Sequence, residues 1–148
     1  MTFDFSLLEL RSEIDFTKYP NIRPICLPLD DSDDFNGVTA TVSGWGKTSP
    51  TSGASPYLME VNVTVIDNDS CRKQDRNASS KLQDINDEMI CTRSPPTHAK
   101  GANKGDSGGP LITVREGPVQ SFQLIGVVSK GRVDTLTHIK KYPGMYGR

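Results

Sequence analysis

Apolar and polar positions alternate along this chain in short runs, each bounded by residues that favour turns. The runs are "DFSLLEL" (4–10), "VTATVSGWG" (38–46), "YLMEVNVTVI" (57–66), "EMICT" (88–92), "PLITVRE" (110–116) and "FQLIGVVS" (122–129), all rich in Val, Ile, Thr and Phe or otherwise apolar. Such composition and length predict strands. In the third run Val61, Val63 and Val65 alternate with Asn62 and Thr64, a period of two that buries one face of a strand and wets the other. Between the runs lie "YPNIRPICLP", "DDSDDFNG", "KTSPTSGASP", "SPPTHAKGANKG" and "KKYPG", clusters of Gly, Pro, Asn, Asp and Ser that break regular structure. Only "DNDSCRKQD" (67–75) reads as a helix, with Asp67 or Asn68 as its N-cap and basic residues further along. Short, evenly spaced strands with Gly/Pro turns predict an all-β barrel or sandwich. No internal repeat or clear linker divides the chain.

Composition narrows the partners more than the fold. The 148 residues fit one domain or part of a larger one. Lys and Arg number 17 against 18 Asp and Glu, a formal net charge of -1, so nothing suggests nucleic acid or an anionic membrane surface as a partner. The hydrophobic share, 34%, is low for a self-sufficient globule; with the 13 glycines counted it reaches only the lower edge of the usual range of roughly 45–50%. No run of 18 apolar residues is present, so no membrane-spanning helix is expected. "MTFDFSLLEL" lacks a basic start and an unbroken apolar stretch, and reads as the interior of a fold rather than a signal peptide. The expectation is either a cytosolic protein or one whose true beginning lies upstream.

Three cysteines bear on that choice. Cys71 and Cys91 fall in one segment and could close a loop, worth about 3 kcal/mol in the chain-entropy model. Cys26 is left over: a small buried hydrophobe in a cytosolic protein, or a residue whose partner is absent in a secreted one. Three N-x-[ST] sequons, at Asn62, Asn68 and Asn77, lean towards secretion. The acidic run "DDSDDFNG" lacks the spacing and terminal Glu of a calcium loop and reads as a solvated turn, so no metal is expected. No cofactor is expected either.

The chemistry concentrates in "NKGDSGGPL" (103–111), where three glycines and a proline surround Asp106 and Ser107. Glycine is costly to order, so such a cluster marks a backbone that bends sharply or lets something approach closely. Gly105-Asp106-Ser107-Gly108-Gly109 fits the G-x-S-x-G elbow of α/β-hydrolases, in which a helix follows the nucleophile. Here Gly108, Gly109 and Pro110 lead into the strand-like "LITV", so that helix is missing, although Asp134 and His138 keep the triad order formally open.

The chain resembles the chymotrypsin-like (trypsin) family of serine proteases much more broadly. "GDSGGPL" resembles that family's nucleophile motif and "DFSLLEL" the strand carrying its catalytic Asp; "IRPICLP", "SGWG", "MICT", "GVVSKG" and "PGMYGR" match further landmarks in the family's order, from Asp4 to the last residue. The resemblance implies an all-β double barrel, here mainly the second barrel plus one strand of the first, with residues 1–148 forming a partial peptidase domain. It implies a secreted endopeptidase acting on proteins or peptides, with protein inhibitors among its partners. Ser107 would be the nucleophile and Asp4 the carboxylate that orients the general base. The backbone N–H groups of Gly105 and Ser107 would bind the oxyanion, where losing one donor typically costs about 100- to 1000-fold in rate. Asp106 would pair with the amino terminus released on zymogen cleavage. Gly101, Ser129, Gly131 and Gly144 would line the substrate pocket, and Cys71 and Cys91 would form an intradomain disulfide.

Departures from the family pattern are equally specific. The family's general base is a histidine several dozen residues before the catalytic Asp, whereas only three residues precede Asp4, and both histidines, His98 and His138, follow it. They read as loop residues, so the base is expected upstream, from a segment linked through Cys26, and the 148 residues alone are expected to be inactive. Ala40 and Thr113 occupy one pair of cysteine positions; Asn103 replaces another cysteine, whose partner is missing from "KGRVDTLTHIKKYPG". Gly101 stands where enzymes selecting Lys or Arg carry an acid, and Gly131 and Gly144 leave the pocket open for a larger apolar side chain. Lys130 stands in place of an aromatic residue, and with Lys104 makes the cleft cationic, a feature that favours acidic substrates. The competing expectation is a noncatalytic homologue that serves as a binding or regulatory scaffold.

Overall fold

A computed structural model describes residues 4, 6–29, 32–49, 51–76, 85–94, 101–115, 117, 119–131 and 144–148. Among them six strands and one helix occur, in the order β1 (Thr39–Gly44), β2 (Met59–Ile66), α1 (Asn68–Arg76), β3 (Met89–Arg93), β4 (Pro110–Arg115), β5 (Ser121–Gly131) and β6 (Gly144–Gly147). All neighbouring strands are antiparallel, and the sheet closes on itself as β1-β2-β3-β6-β5-β4. Closure satisfies the backbone groups that an open sheet would leave at its edges.

The barrel follows from the period-two patterning. Val63 and Val65 of β2 point inward beside Val42, Ile90, Leu111, Ile125, Val128 and Tyr146, while Asn62 is exposed. Each fully buried aliphatic side chain of this kind contributes about 1.5–3 kcal/mol of transfer free energy. A smaller cluster of Ile66, Cys71, Ile85, Cys91 and Met145 lies beneath α1. Cys71 of the helix is bonded to Cys91 of β3, with the Cα atoms 6.1 Å apart. The helix starts where its cap dictates: the Asp67 carboxylate accepts the Ser70 N–H at 2.7 Å, supplying one of the acceptors that a helix N-terminus lacks. Hydrogen bonds from Ser70, the backbone amide first, hold the Asp67 carboxyl below its ordinary pKa.

Three features depart from the sequence reading. β6 is not foreseen, because four residues bounded by two glycines carry little strand signal; yet Met145 and Tyr146 are both buried in it. Phe35, read as part of a solvated turn, is 5% exposed and belongs to the core. It takes a left-handed backbone conformation, φ 53°, costly for a bulky side chain. The Asp33 carboxylate accepts its N–H at 2.9 Å, and Arg148 donates to the Asp33 carbonyl at 2.7 Å. The third concerns "DFSLLEL": residues 6–10 form no strand. A strand exists only where a neighbour accepts and donates its backbone hydrogen bonds, and no described residue does so here. Leu7 and Leu8 are 96% and 88% exposed.

The rest of the N-terminal segment is ordered by local bonds. The Asp15 carboxylate accepts from the Thr17 hydroxyl and from the backbone of Thr17 and Lys18, which, the hydroxyl first, lowers its pKa. The Arg23 guanidinium collects the carbonyls of Phe16, Tyr19 and Ile22. Further on, Cys26 makes a parallel bridge to Gln123 on the outside of β5, and its thiol is free and exposed.

Candidate active site

The loop 103–109 is built from two successive tight turns. Asp106 N–H donates to the Asn103 carbonyl at 3.0 Å, and Gly109 N–H to the Asp106 carbonyl at 2.8 Å. Gly105 and Gly108 each occupy the third position of one turn, at φ 98° and 83°, where a type II turn requires a positive φ and therefore glycine. The glycine spacing in the sequence is thus the spacing of two turns. Between them Ser107 stands exposed. Its hydroxyl, its N–H and the Gly105 N–H bond to no described residue.

Asp106 locks this arrangement from below. Its carboxylate accepts the Gly46 N–H at 2.7 Å through one oxygen and the Asn103 N–H at 2.8 Å through the other. Gly44 and Gly46 make room for it, since a Cβ on either would lie within 2.1 to 2.9 Å of carboxylate atoms. The "SGWG" glycines are thereby explained by a side chain some sixty residues away in the chain. Beneath the loop, burial, with the Asp106 charge adding to it, pushes the Tyr146 phenol above its ordinary pKa; a hydrogen bond to Thr92 opposes the shift.

β5 runs alongside. Gly108 N–H donates to the Val128 carbonyl at 2.9 Å and Val128 N–H to the Gly109 carbonyl at 2.8 Å. Immediately beyond, the pairing of β5 with β6 slips between Val128 and Lys130, so Ser129 is the extra residue of a bulge, a device that re-aims a side chain. Its hydroxyl donates to the Asp4 carboxylate across 125 positions of sequence. Ser129, expected in the pocket wall, is found as the hydrogen-bond partner of Asp4. Sequence reasoning missed that contact, and the signal it left is the serine at the end of "GVVS".

The remaining candidates are placed less closely. Gly131 and Gly144 are direct partners across β5 and β6, and a Cβ on Gly144 would sit 3.1 Å from both the Thr92 and the Tyr146 hydroxyl oxygens. Gly101 is half-buried ahead of the loop. Asn103 serves the turn: its side-chain oxygen accepts the Lys104 N–H at 2.8 Å. Thr113, at a missing-cysteine position, donates instead to the Thr39 carbonyl at 3.1 Å, and Ala40 is buried. Of the sequons, Asn62 is exposed and accepts from Thr41, while Asn68 spends its amide on the Asn86 carbonyl. Asn77, His98 and His138 lie outside the described residues. Among the described residues no group of His, Cys, Asp and Glu could hold a metal ion.

Comparison with known proteins places the chain among serine proteases. The family described as Trypsin matches residues 1–148. A venom protease of Bombus pensylvanicus is 37% identical over 98% of this chain and 54% of its own length. The serine protease filzig of Drosophila melanogaster is 36% identical over 98% of the chain and 8% of its own length. The venom serine protease Bi-VSP of Bombus ignitus is 34% identical over 98% and 38% respectively. The chain thus spans about half, or less, of these relatives.

Proposed function

This chain belongs to the trypsin family of serine proteases, and on that premise we propose that it carries the nucleophilic half of a secreted endopeptidase. The observation that supports this best is the twin-turn loop that exposes Ser107 beside two amides bonded to no described residue, next to the strand whose Ser129 holds Asp4. In the proposed reaction the Ser107 hydroxyl adds to the scissile carbonyl as its proton passes to a histidine. The N–H groups of Gly105 and Ser107 take up the developing oxyanion. Collapse breaks the C–N bond, and the imidazolium returns the proton to the leaving amine; water then hydrolyses the acyl-enzyme by the same relay. Asp4 orients that histidine, which we assign to sequence outside these 148 residues. Asp106 is the acceptor for a new amino terminus on activation, and Gly101, Gly131 and Gly144 shape the pocket. The disulfide, the exposed sequon at Asn62 and the venom relatives support an extracellular location.

A fluorophosphonate probe tests the reading. With the upstream histidine present, Ser107 is labelled and Ser107→Ala is not. The 148 residues alone are expected to react about 1000-fold or more slowly, as for a triad that has lost its base. Rapid labelling of the isolated chain would refute the missing-base assignment; absence of labelling in the longer protein would favour the noncatalytic scaffold, to which Lys130 and the substituted cysteine at Asn103 lend some support.

A further inference from the structure

Around the Ser107 loop the described residues place three lysines, none of them in an ion pair with a described acid. Lys104 is exposed and lies three positions before Ser107. Its carbonyl accepts the Lys47 N–H at 2.9 Å, which brings the half-buried Lys47 to the same loop. Lys130 stands two positions beyond Val128, the residue bonded to Gly108 and Gly109, a span of about 7 Å along a strand. The ion pairs among the described residues involve Arg72 with Asp69 and Asp87, and none of these three ammonium groups pairs with a described carboxylate. The nearby carboxylates, Asp106 and Asp4, accept from two backbone amides and from Ser129 and keep their charge, so the described residues set three lysines against two acids here. With a net charge of -1 overall, the described residues here carry a small local excess of positive charge rather than a generally basic surface. β4 pairs β5 only as far as Val127 and the loop glycines only as far as Val128. Beyond that point the edge of β5 facing the loop has no partner among the described residues, and an extended peptide can lie along it.

We propose that Lys47, Lys104 and Lys130 form a cationic rim around Ser107 that selects peptides with Glu or Asp side chains flanking the bond presented to the serine. The proposal rests on Ser107 being the reactive residue, and it adds a substrate class to that reading. A peptide is favoured over a sulfated polysaccharide because the charges are few and sit beside an open strand edge. Exposed ion pairs are individually weak and screened by salt, so the expected discrimination is modest and depends on ionic strength.

The experiment compares two fluorescein-labelled extended peptides that differ only in Glu against Gln at the flanking positions. Their binding to the protein at its full natural length is read by fluorescence polarisation. The Glu peptide is expected to bind about two- to tenfold more tightly at low salt, with the ratio falling towards one at high salt. Lys47→Gln, Lys104→Gln and Lys130→Gln together abolish the ratio, whereas the three Lys→Arg changes, which keep the charge, retain it. Equal binding of the two peptides, a ratio that survives the triple Gln change, or binding by heparin with neither peptide bound overturns the proposal. Fluorophosphonate labelling of the same samples reports on Ser107 separately, so the rim and the nucleophile fail independently.

Discussion

The barrel and the N-terminal segment have similarly apolar sequences, yet Leu111 of β4 is fully buried and Leu7 of "DFSLLEL" is 96% exposed. Both lie in runs with a strand-like pattern. Leu111 has Val42 opposite it on one side and Gly126 on the other, whereas Leu7 has no ladder partner among the described residues. An apolar run acquires a strand's energetics only when neighbours satisfy its backbone and cover its side chains. What distinguishes the two regions is company rather than composition.

Paired substitutions give the largest way to break that comparison. Leu111→Ala is expected to destabilise the chain by about 2–5 kcal/mol through lost transfer energy and a cavity, while Leu7→Ala and Leu8→Ala stay within about 0.5 kcal/mol. Urea midpoints of the three variants decide it, and equal losses would show that the segment packs as firmly as the barrel. A second test sharpens where the barrel's stability resides. Converting both Cys71 and Cys91 to Ala should cost about 3 kcal/mol, the chain-entropy value for a loop of some twenty residues, again seen as a lower midpoint. Cys26→Ala should leave the midpoint in place, since that thiol is free.

The smallest expected effect concerns the α1 cap. The folded state lowers the Asp67 pKa from its ordinary 3.8, so the charged carboxylate stabilises the fold above that value, and its contribution disappears as pH falls through the folded-state pKa. Asp67→Asn keeps an oxygen acceptor for the Ser70 N–H but has no charge to lose. Its melting temperature should therefore lie slightly below that of the parent at pH 6 and converge with it as the pH falls below the lowered folded-state pKa. A gap that widens on acidification would reverse the sign argued here.

Most of the barrel was legible in the sequence because its strands are long enough to show a period of two and are punctuated by Gly and Pro. β1 to β5 fall within a few residues of the runs that predict them, and α1 begins at its capping Asp67. β6 was not legible: "GMYG" is too short to display a period, and only its place between β3 and β5 makes Met145 and Tyr146 core residues. Phe35 was hidden by its acidic neighbours, which bond to backbone amides while the ring turns inward. At the candidate site, the glycines around Ser107 announced a turn but not that there are two. Nor could the sequence tell that Gly44 and Gly46 are glycines because Asp106 needs the space. Such long-range reasons leave only a residue type behind, and the Ser129 contact with Asp4 is another of the same kind.

That contact constrains how the gene can drift. Ser129 reaches Asp4 only because the bulge between Val128 and Lys130 inserts one residue out of register, and side chains on a strand swap faces with every single-residue slip. Adding or deleting one codon between Ser121 and Val128 would keep β5 a strand and keep its composition. It would nevertheless turn a different side chain towards the acid, so the length of this stretch is a heritable part of the site, as binding as the identity of any residue in it.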